Sequence, residues 1–220
     1  MSKDAFWALI QEAKTACGQD LNAMEDYLRE QLVSMGPAAA KNFHDILQTY
    51  EDLADQYGLW DAVSVIKEYG CSDDGFIDFR AWLIAQGKEV YMNALRDPDT
   101  LADIEPYGDC CFECLSYVGD YAYEHLTGRS AYDEMEPDRI EKLRDELKKD
   151  IVYKDGIQYP REPKDLPRFL PRLYEKYGGP ERFQVTPSTW NFDLHEIRRL
   201  LDEGKVQDMA TKKEKGGGAR

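Results

Sequence analysis

The chain has 220 residues, of which 42% are hydrophobic, and its formal net charge at pH 7 is −15. This length suits one domain with a smaller appendage, and no apolar run reaches the ~18 residues that a membrane span requires. The N-terminal residues lack the basic-then-apolar order of a secretory signal, and five cysteines are an odd number. We therefore expect a cytoplasmic protein whose thiols are reduced, and we expect no membrane association.

The charge is distributed unevenly along the chain. Residues 1–136 contain 27 acidic and 9 basic side chains, a net −18, whereas residues 137–220 contain 16 acidic and 19 basic side chains, a net +3. An acidic body repels nucleic acid, so we expect no direct nucleic acid binding by it. It would instead attract a protein partner with a basic surface, although acidity that only serves solubility is an alternative interpretation.

Apolar residues recur at helical spacing through the first 126 residues, which predicts a mainly α-helical protein. The short connections between the predicted helices favour antiparallel neighbours in one bundle-like body. The predicted helices run over residues 4–16, 21–35, 37–57, 59–69, 76–86, 88–96 and 109–126.

The helix that follows Ser72 is the most apolar of these, and Ser72 or Asp73 is a suitable N-cap for it. Its apolar residues cover more than half of the helix circumference, which predicts burial on most sides. These residues are Phe76, Ile77, Phe79, Trp82, Leu83 and Ile84. Arg80 interrupts them. A buried guanidinium needs acceptors, so we expect an acidic residue of a neighbouring helix to hold it; the alternative is an anchor for a small anionic ligand.

The same stretch carries a family resemblance. The sequence CSDDGF at residues 71–76, followed by FRAWLIAQGK at residues 79–88, resembles the bacterial family known as domain of unknown function 4240 (DUF4240). Phe6-Trp7 and Asp97-Pro98-Asp99 fit the same family pattern, and the resemblance covers about residues 1–130. Because the family is uncharacterised, the resemblance implies no known activity.

The predicted helix at 109–126 carries a row of polar side chains at intervals of four residues: Glu113, Tyr117, Tyr121 and His125. Carboxylate, hydroxyl and imidazole groups in one row could line a polar groove and exchange protons if they were buried. The alternatives are a solvated helix face or an interface. These four residues and Arg80 are the candidate ligand-binding residues, and no catalytic residue is assigned.

The cysteines near this helix do not indicate a metal site. Cys110, Cys111 and Cys114 lack a second paired element downstream, and neighbouring acids disfavour a reactive thiolate, so we expect thiols of the core. Asp73, Asp74 and Asp78 lack the spacing of a calcium loop, and helix capping explains the first two. We therefore predict no metal and no cofactor.

The remainder of the chain has a different character. Residues 137–149 read as a charged helix, and Asp155-Gly156 between β-rich triplets allows a small β-hairpin at 151–159. Several prolines follow, then a helix at 193–203 and a Lys- and Gly-rich end. The predicted organisation is a helical core at 1–130, an irregular extension at 131–204 and a disordered tail at 205–220.

Together these features favour an acidic protein–protein interaction module, regulatory or of the toxin-immunity kind, that binds a basic partner. The alternative is an enzyme, or a receptor for a small anionic ligand, that uses Arg80 together with the row from Glu113 to His125. The two hypotheses differ in whether Arg80 and the tyrosines of that row converge on one site. The sequence does not decide whether the protein is an enzyme.

Overall fold

A computed structural model describes residues 1–67 and 70–178, and it confirms the predicted all-α, bundle-like fold. No strand is present in these two ranges. The α-helices are α1 (Lys3–Cys17), α2 (Leu21–Met35), α3 (Pro37–Leu53), α4 (Tyr57–Ile66), α5 (Asp73–Ala85), α6 (Lys88–Arg96), α7 (Glu113–Thr127), α8 (Pro137–Lys148), α9 (Leu166–Phe169) and α10 (Pro171–Tyr177). None of the described helices is both long enough and apolar enough to cross a membrane.

Side-chain caps fix where the first helices begin. The side-chain oxygens of Ser2, Asp20 and Ser72 each accept a hydrogen bond from a backbone N–H in the first turn of α1, α2 and α5. Such caps satisfy amides that have no partner within the helix. Of the two alternative N-caps that the sequence predicts for α5, Ser72 and Asp73, the structure shows Ser72.

The apolar core lies between α1, α3, α5 and α6. The Trp7 indole N–H donates to the Tyr50 hydroxyl at 3.0 Å, and the Tyr91 hydroxyl donates to the Tyr50 carbonyl at 2.6 Å. These bonds satisfy the polar atoms of buried aromatic residues. Large residues that carry a polar atom can therefore fill the interior. Trp82 on α5 is also fully buried and stacks on Phe79.

Several sequence-based predictions require correction. The third helix ends at Leu53 rather than near Tyr57, since the chain turns there and α4 begins at Tyr57. Ile77, which we expected in the core, is 45% exposed because it lies on the solvent side of α5. Leu126, whose spacing places it on the apolar side of the helix predicted at 109–126, is likewise exposed.

The start of α7 also differs from the prediction. Gly108, Asp109 and Cys110 all have positive φ angles, of 58°, 54° and 53°. Because a right-handed helix cannot continue through left-handed residues, α7 begins at Glu113 and not at Asp109. Cys111 therefore precedes the helix and is only partly buried, whereas we expected it on the core side of a helix.

Helices α3 and α7 approach each other very closely. A Cβ atom added to Gly119 of α7 would lie 2.8 Å from both the backbone N and the Cβ of His44 on α3. Only glycine fits at such a crossing, because a larger residue would force the two backbones apart. Polar side chains fill this interface, which we call the polar seam: His44, Gln48, Glu51, Ser116 and Tyr132.

Residues 137–178, here called the C-terminal segment, pack across the acidic helices. Leu147, Ile157 and Leu173 of this segment join the hydrophobic cluster of the first helices. Within the described ranges, six carboxylates of the first 136 residues pair with cations of this segment. The pairs are Arg139–Asp45, Arg144–Asp52, Lys154–Asp97, Arg161–Asp61, Arg172–Asp103 and Lys176–Glu105.

At 151–159, where the sequence allows a hairpin, the chain makes a turn over residues 155–158. The backbone N–H of Lys154 donates to Leu95 of α6 at 2.9 Å, and the carbonyl of Ile157 accepts from Gly58 of α4 at 2.8 Å. These backbone groups therefore bond to neighbouring helices. The helix predicted at 193–203 and the tail predicted from 205 lie outside the described residues.

Candidate functional site

Four of the five predicted site residues lie on α7, as the sequence places them. Glu113 is exposed in the first turn, and Tyr117 is half-buried one turn later. Tyr121 stacks on Tyr117 with ring centroids 5.9 Å apart. His125 is exposed in the last turn. The row therefore lies on one side of α7. The middle of this helix faces α3, whereas the end that carries His125 does not.

Arg80 projects from α5 toward the C-terminal end of α3. Its Nη1 donates to the backbone carbonyl of Glu51 at 3.3 Å and lies 3.5 Å from a carboxylate oxygen of Asp55. The Arg80 side chain is only 12% exposed, whereas that of Asp55 is 63% exposed. A cation is favourable at a helix C-terminus, where carbonyl groups lack partners within the helix.

One feature of the surroundings of Arg80 stabilises this cation and another does not. Its guanidinium carbon lies 5.1 Å from the centre of the Phe76 ring, a favourable cation–π distance. Its Nε is buried without a hydrogen-bond partner. The carboxylate that we expected from a neighbouring helix is that of Asp55, in the loop after α3, and its exposure makes this ion pair weak.

Glu51 links Arg80 to the tyrosines, and the sequence analysis missed it. It is 6% exposed, and its Oε1 accepts a hydrogen bond of 2.6 Å from the Ser116 hydroxyl. Burial raises the pKa of Glu51 to about 7, although the Ser116 hydrogen bond and the charge of Arg80 act in the opposite direction. A carboxyl group with this pKa exchanges its proton near neutral pH.

Tyr132 is the second residue that the sequence did not reveal. Its hydroxyl donates to the carbonyl of Ser116 at 3.4 Å, and its ring packs edge-on against His44 with centroids 4.3 Å apart. Burial, together with the nearby negative charge of Glu51, raises the pKa of Tyr132 to about 12. We call the surface formed by Glu113, Tyr117, Tyr121 and Tyr132 the tyrosine face.

The tyrosine face has an acidic margin. Burial raises the pKa of Asp78, and the neighbouring carboxylates of Glu113 and Asp74 raise it further. Burial and the charge of Glu113 likewise raise the pKa of Tyr117. Among residues 1–67 and 70–178, no lysine or arginine nitrogen lies within 4.0 Å of the carboxylates of Asp74, Asp78 or Glu113.

Two other buried acids of α3 and α7 have structural partners. Asp45 is bound by Lys41 and by Arg139, both at 2.8 Å. Asp120 accepts hydrogen bonds from the Ser130 hydroxyl and from the backbone N–H of Ala131. His44 differs from these, because both of its ring nitrogens are buried without partners and burial lowers its pKa. His44 is therefore uncharged near neutral pH.

The arrangement places Glu51 in contact with Arg80 and with Ser116, the residue before Tyr117, and it leaves His125 exposed at the end of α7. Sequence spacing offered one usable signal for Glu51, since Ala40, His44, Leu47 and Glu51 follow each other at intervals of four, three and four residues. That spacing continues a buried stripe of α3. Nothing local to residues 116 or 132 indicates that they meet α3.

The comparison with known families gives a match over the first seven α-helices. The model of the family described as "Protein of unknown function (DUF4240)" matches residues 1–125. The matched part contains Glu51, Arg80 and the α7 row, while Tyr132 and the C-terminal segment lie beyond it. Neither the comparison with curated proteins nor the comparison with solved structures gives a match.

Proposed function

Since the chain belongs to the DUF4240 family, whose description assigns no activity, we propose from its geometry that it is an interaction module that binds a basic protein. The binding surface in this proposal is the tyrosine face with its acidic margin. Regulation of a basic partner, or neutralisation of a basic toxin in the cytoplasm, is the kind of role that such a module serves.

One observation carries the proposal: within the described residues the acids beside the tyrosine face form no ion pair within 4.0 Å, whereas six acids of the first 136 residues are paired with cations of the C-terminal segment. The C-terminal segment supplies cations to Asp45, Asp52, Asp61 and others. Asp74, Asp78 and Glu113 form no ion pair, and burial, followed by repulsion from Glu113 and Asp74, raises the pKa of Asp78 although the charge of Lys67 acts in the opposite direction. A lysine or arginine from outside would relieve this repulsion.

The tyrosines suit the same kind of partner. Tyrosine is enriched at protein interfaces because its rigid ring contributes apolar contact area and its hydroxyl still forms hydrogen bonds. Stacked rings such as Tyr117 and Tyr121 also offer π faces to a cation. The net −18 of residues 1–136 would steer a basic partner toward the protein before contact.

The test has two stages, isolation of the partner and measurement of its binding. Proteins bound to the full chain in extract from the native cell are identified, and the purified partner is titrated against the chain at increasing salt. We expect a basic partner whose association rate falls with ionic strength. The double variant Tyr117→Ala/Tyr121→Ala should bind at least about tenfold more weakly.

Matched variants separate a specific site from general charge. Tyr159→Ala removes a tyrosine that is 63% exposed but lies in the C-terminal segment, and it should leave the affinity unchanged. Glu113→Gln should weaken binding more than Glu12→Gln, which removes an exposed acid of α1. An acidic partner, or an association rate that salt does not change, would contradict the proposal.

A second function, acid–base chemistry or binding of a small anion, is favoured by the environment of Glu51. Its pKa of about 7, the Ser116 hydroxyl and the adjacent Arg80 are a combination found in catalytic sites. Thermal unfolding in the presence of phosphate and of simple carboxylates tests this alternative. A rise in Tm that Arg80→Met abolishes would favour it over the interaction module.

A further inference from the structure

A cavity of about 620 Å³ lies between the end of α4 and the loop that precedes α7. Its lining includes Lys67, Gly108, Asp109 and Cys110. Its lining shares no residue with the tyrosine face. Its lining is unusual because it combines a lysine with a cysteine.

Lys67 makes a close contact with sulfur and not with a carboxylate. Its Nζ lies 3.0 Å from Sγ of Cys111. No carboxylate oxygen of the described ranges lies within 4.0 Å of this amine. An adjacent cation stabilises a thiolate, and the thiolate is the form of cysteine that oxidants attack.

The backbone of the loop arranges the thiols around this lysine. The three consecutive left-handed residues from Gly108 to Cys110 turn the chain sharply. Cys110 is buried, while Cys111 is only partly buried and contacts Lys67. Left-handed conformations are unfavourable for Asp109 and Cys110, which have a Cβ atom, so the packing around the loop must hold them.

The other cysteines do not share this environment. Burial raises the pKa of Cys71 and of Cys110 to about 12, which keeps both as thiols. Burial and the charge of Glu25 raise the pKa of the exposed Cys114. Cys111 therefore combines partial solvent access with direct contact to a cation.

We propose that Lys67 and Cys111 form an oxidant-sensitive modification site, in which peroxide joins Nζ to Sγ through one oxygen atom. The ammonium group first loses a proton to solvent. One N–H bond, the S–H bond and two peroxide O–O bonds then break, and one N–O and one O–S bond form. Two molecules of hydrogen peroxide accept four electrons, two from nitrogen and two from sulfur, and three water molecules are released.

The crosslink would connect residues that are 44 positions apart in the chain. A covalent link over such a distance restricts the unfolded chain, as a disulfide does. The oxidised protein should therefore unfold at a higher temperature than the reduced protein, and a thiol reductant should remove the difference.

The experiment treats the purified full chain with hydrogen peroxide and maps the products by mass spectrometry of its peptides. The expected product is the peptide of Lys67 joined to the peptide of Cys111, with one oxygen gained and two hydrogens lost. Dithiothreitol should reverse it. Peptide mapping separates this product from methionine oxidation, which adds oxygen without a crosslink.

Variants make the result specific. Lys67→Arg keeps the positive charge but lacks a primary amine, so the crosslink should be absent while circular dichroism shows an intact fold. Cys111→Ser should also abolish the crosslink, and Cys114→Ser should retain it. Oxygen gain at Cys111 without hydrogen loss, or a disulfide from Cys111 to Cys71 or Cys110, as the main product would overturn the proposal.

Discussion

The two sides of α3 face different environments. On one side Phe43 and Tyr50 pack into the apolar core, where each buried polar atom of Tyr50 has a partner. On the other side His44 and Glu51 enter the polar seam, where both His44 nitrogens have none. Helix α3 therefore gains stability from apolar burial on the first side and bears the cost of polar burial on the second.

This difference indicates where function is expected. Buried polar groups without partners and acids with a raised pKa are destabilising. They are therefore found mainly at sites that serve a function. Glu51 is such an acid, and it lies against Ser116 of α7, the residue next to Tyr117. The core makes the bundle stable, while the seam makes one of its surfaces chemically distinct.

The largest expected effect comes from opening the core. Trp82→Ala should reduce the free energy of unfolding by roughly 3–5 kcal/mol, because it empties a large buried site. Denaturant unfolding monitored by circular dichroism measures the change. Tyr159→Ala, at an exposed position, should change stability by less than about 0.5 kcal/mol. A loss below about 1 kcal/mol for Trp82→Ala would show that Trp82 is not part of the core.

The core could be predicted from the sequence because burial repeats with the helical period. Phe6, Ile10 and Ala13 in α1, and Phe43, Leu47 and Tyr50 in α3, are buried as their spacing indicates. Helix ends were less predictable where backbone conformation decides them, as at Gly108–Cys110. The conformation of that turn depends on its packing against α4 and α5, which no local pattern reveals.

The seam could be predicted only in part. The tyrosine row of α7 was visible as spacing, and Arg80 was visible as an exception within an apolar helix. Glu51, Ser116 and Tyr132 were missed because they meet through contacts between distant parts of the chain. Likewise, nothing near Lys67 in the sequence indicates that its amine reaches a thiol 44 residues later.

The second prediction concerns the charge of Glu51. Its pKa in the folded chain is raised from 4.5 to about 7, so the folded state holds its proton where the unfolded state has released it. The stability that this proton contributes is full below pH ~4.5 and is lost as the pH rises through ~7. Glu51→Gln stays neutral and should therefore be more stable than wild type at pH 8, by about 3 kcal/mol at most.

Thermal unfolding of both proteins between pH 4 and 8 checks this prediction. The advantage of Glu51→Gln should grow with pH and disappear at the acidic end. Asp61 has a pKa raised to about 7 by burial as well, but it is present in both proteins and cancels in the difference. A difference that does not vary with pH would show that Glu51 is not buried as an acid.

The third prediction tests the close approach that defines the seam. Gly119→Ala should cost roughly 1–3 kcal/mol, since the added Cβ would lie 2.8 Å from the backbone of His44. Gly75→Ala is the matched control in a helix, because its added Cβ would lie 3.2 Å from the Ser72 hydroxyl and at ordinary contact distances of 3.5 and 3.6 Å from Cys71 Sγ and Lys67 Nζ, with no backbone atom among these neighbours. Denaturant unfolding should show little change for the control. Equal effects of the two variants would mean that α3 and α7 are not in close contact at Gly119.

The smallest effect is expected for Arg80→Met, where core and seam meet. Methionine fills a similar volume but cannot donate to the Glu51 carbonyl, and it removes the positive charge beside the Glu51 carboxylate. We expect a loss of roughly 1–2 kcal/mol at pH 8, and a smaller loss at pH 5, where Glu51 is protonated and needs no cation. In the Glu51→Gln background the pH dependence of the loss should vanish. Arg96→Met, at an exposed position of α6, should have little effect at either pH.

A melting temperature of Arg80→Met at or above wild type would show that the protein gains nothing from burying this cation. Arg80 would then be better explained as an anchor for an anionic ligand, and the second candidate function would take precedence over the interaction module.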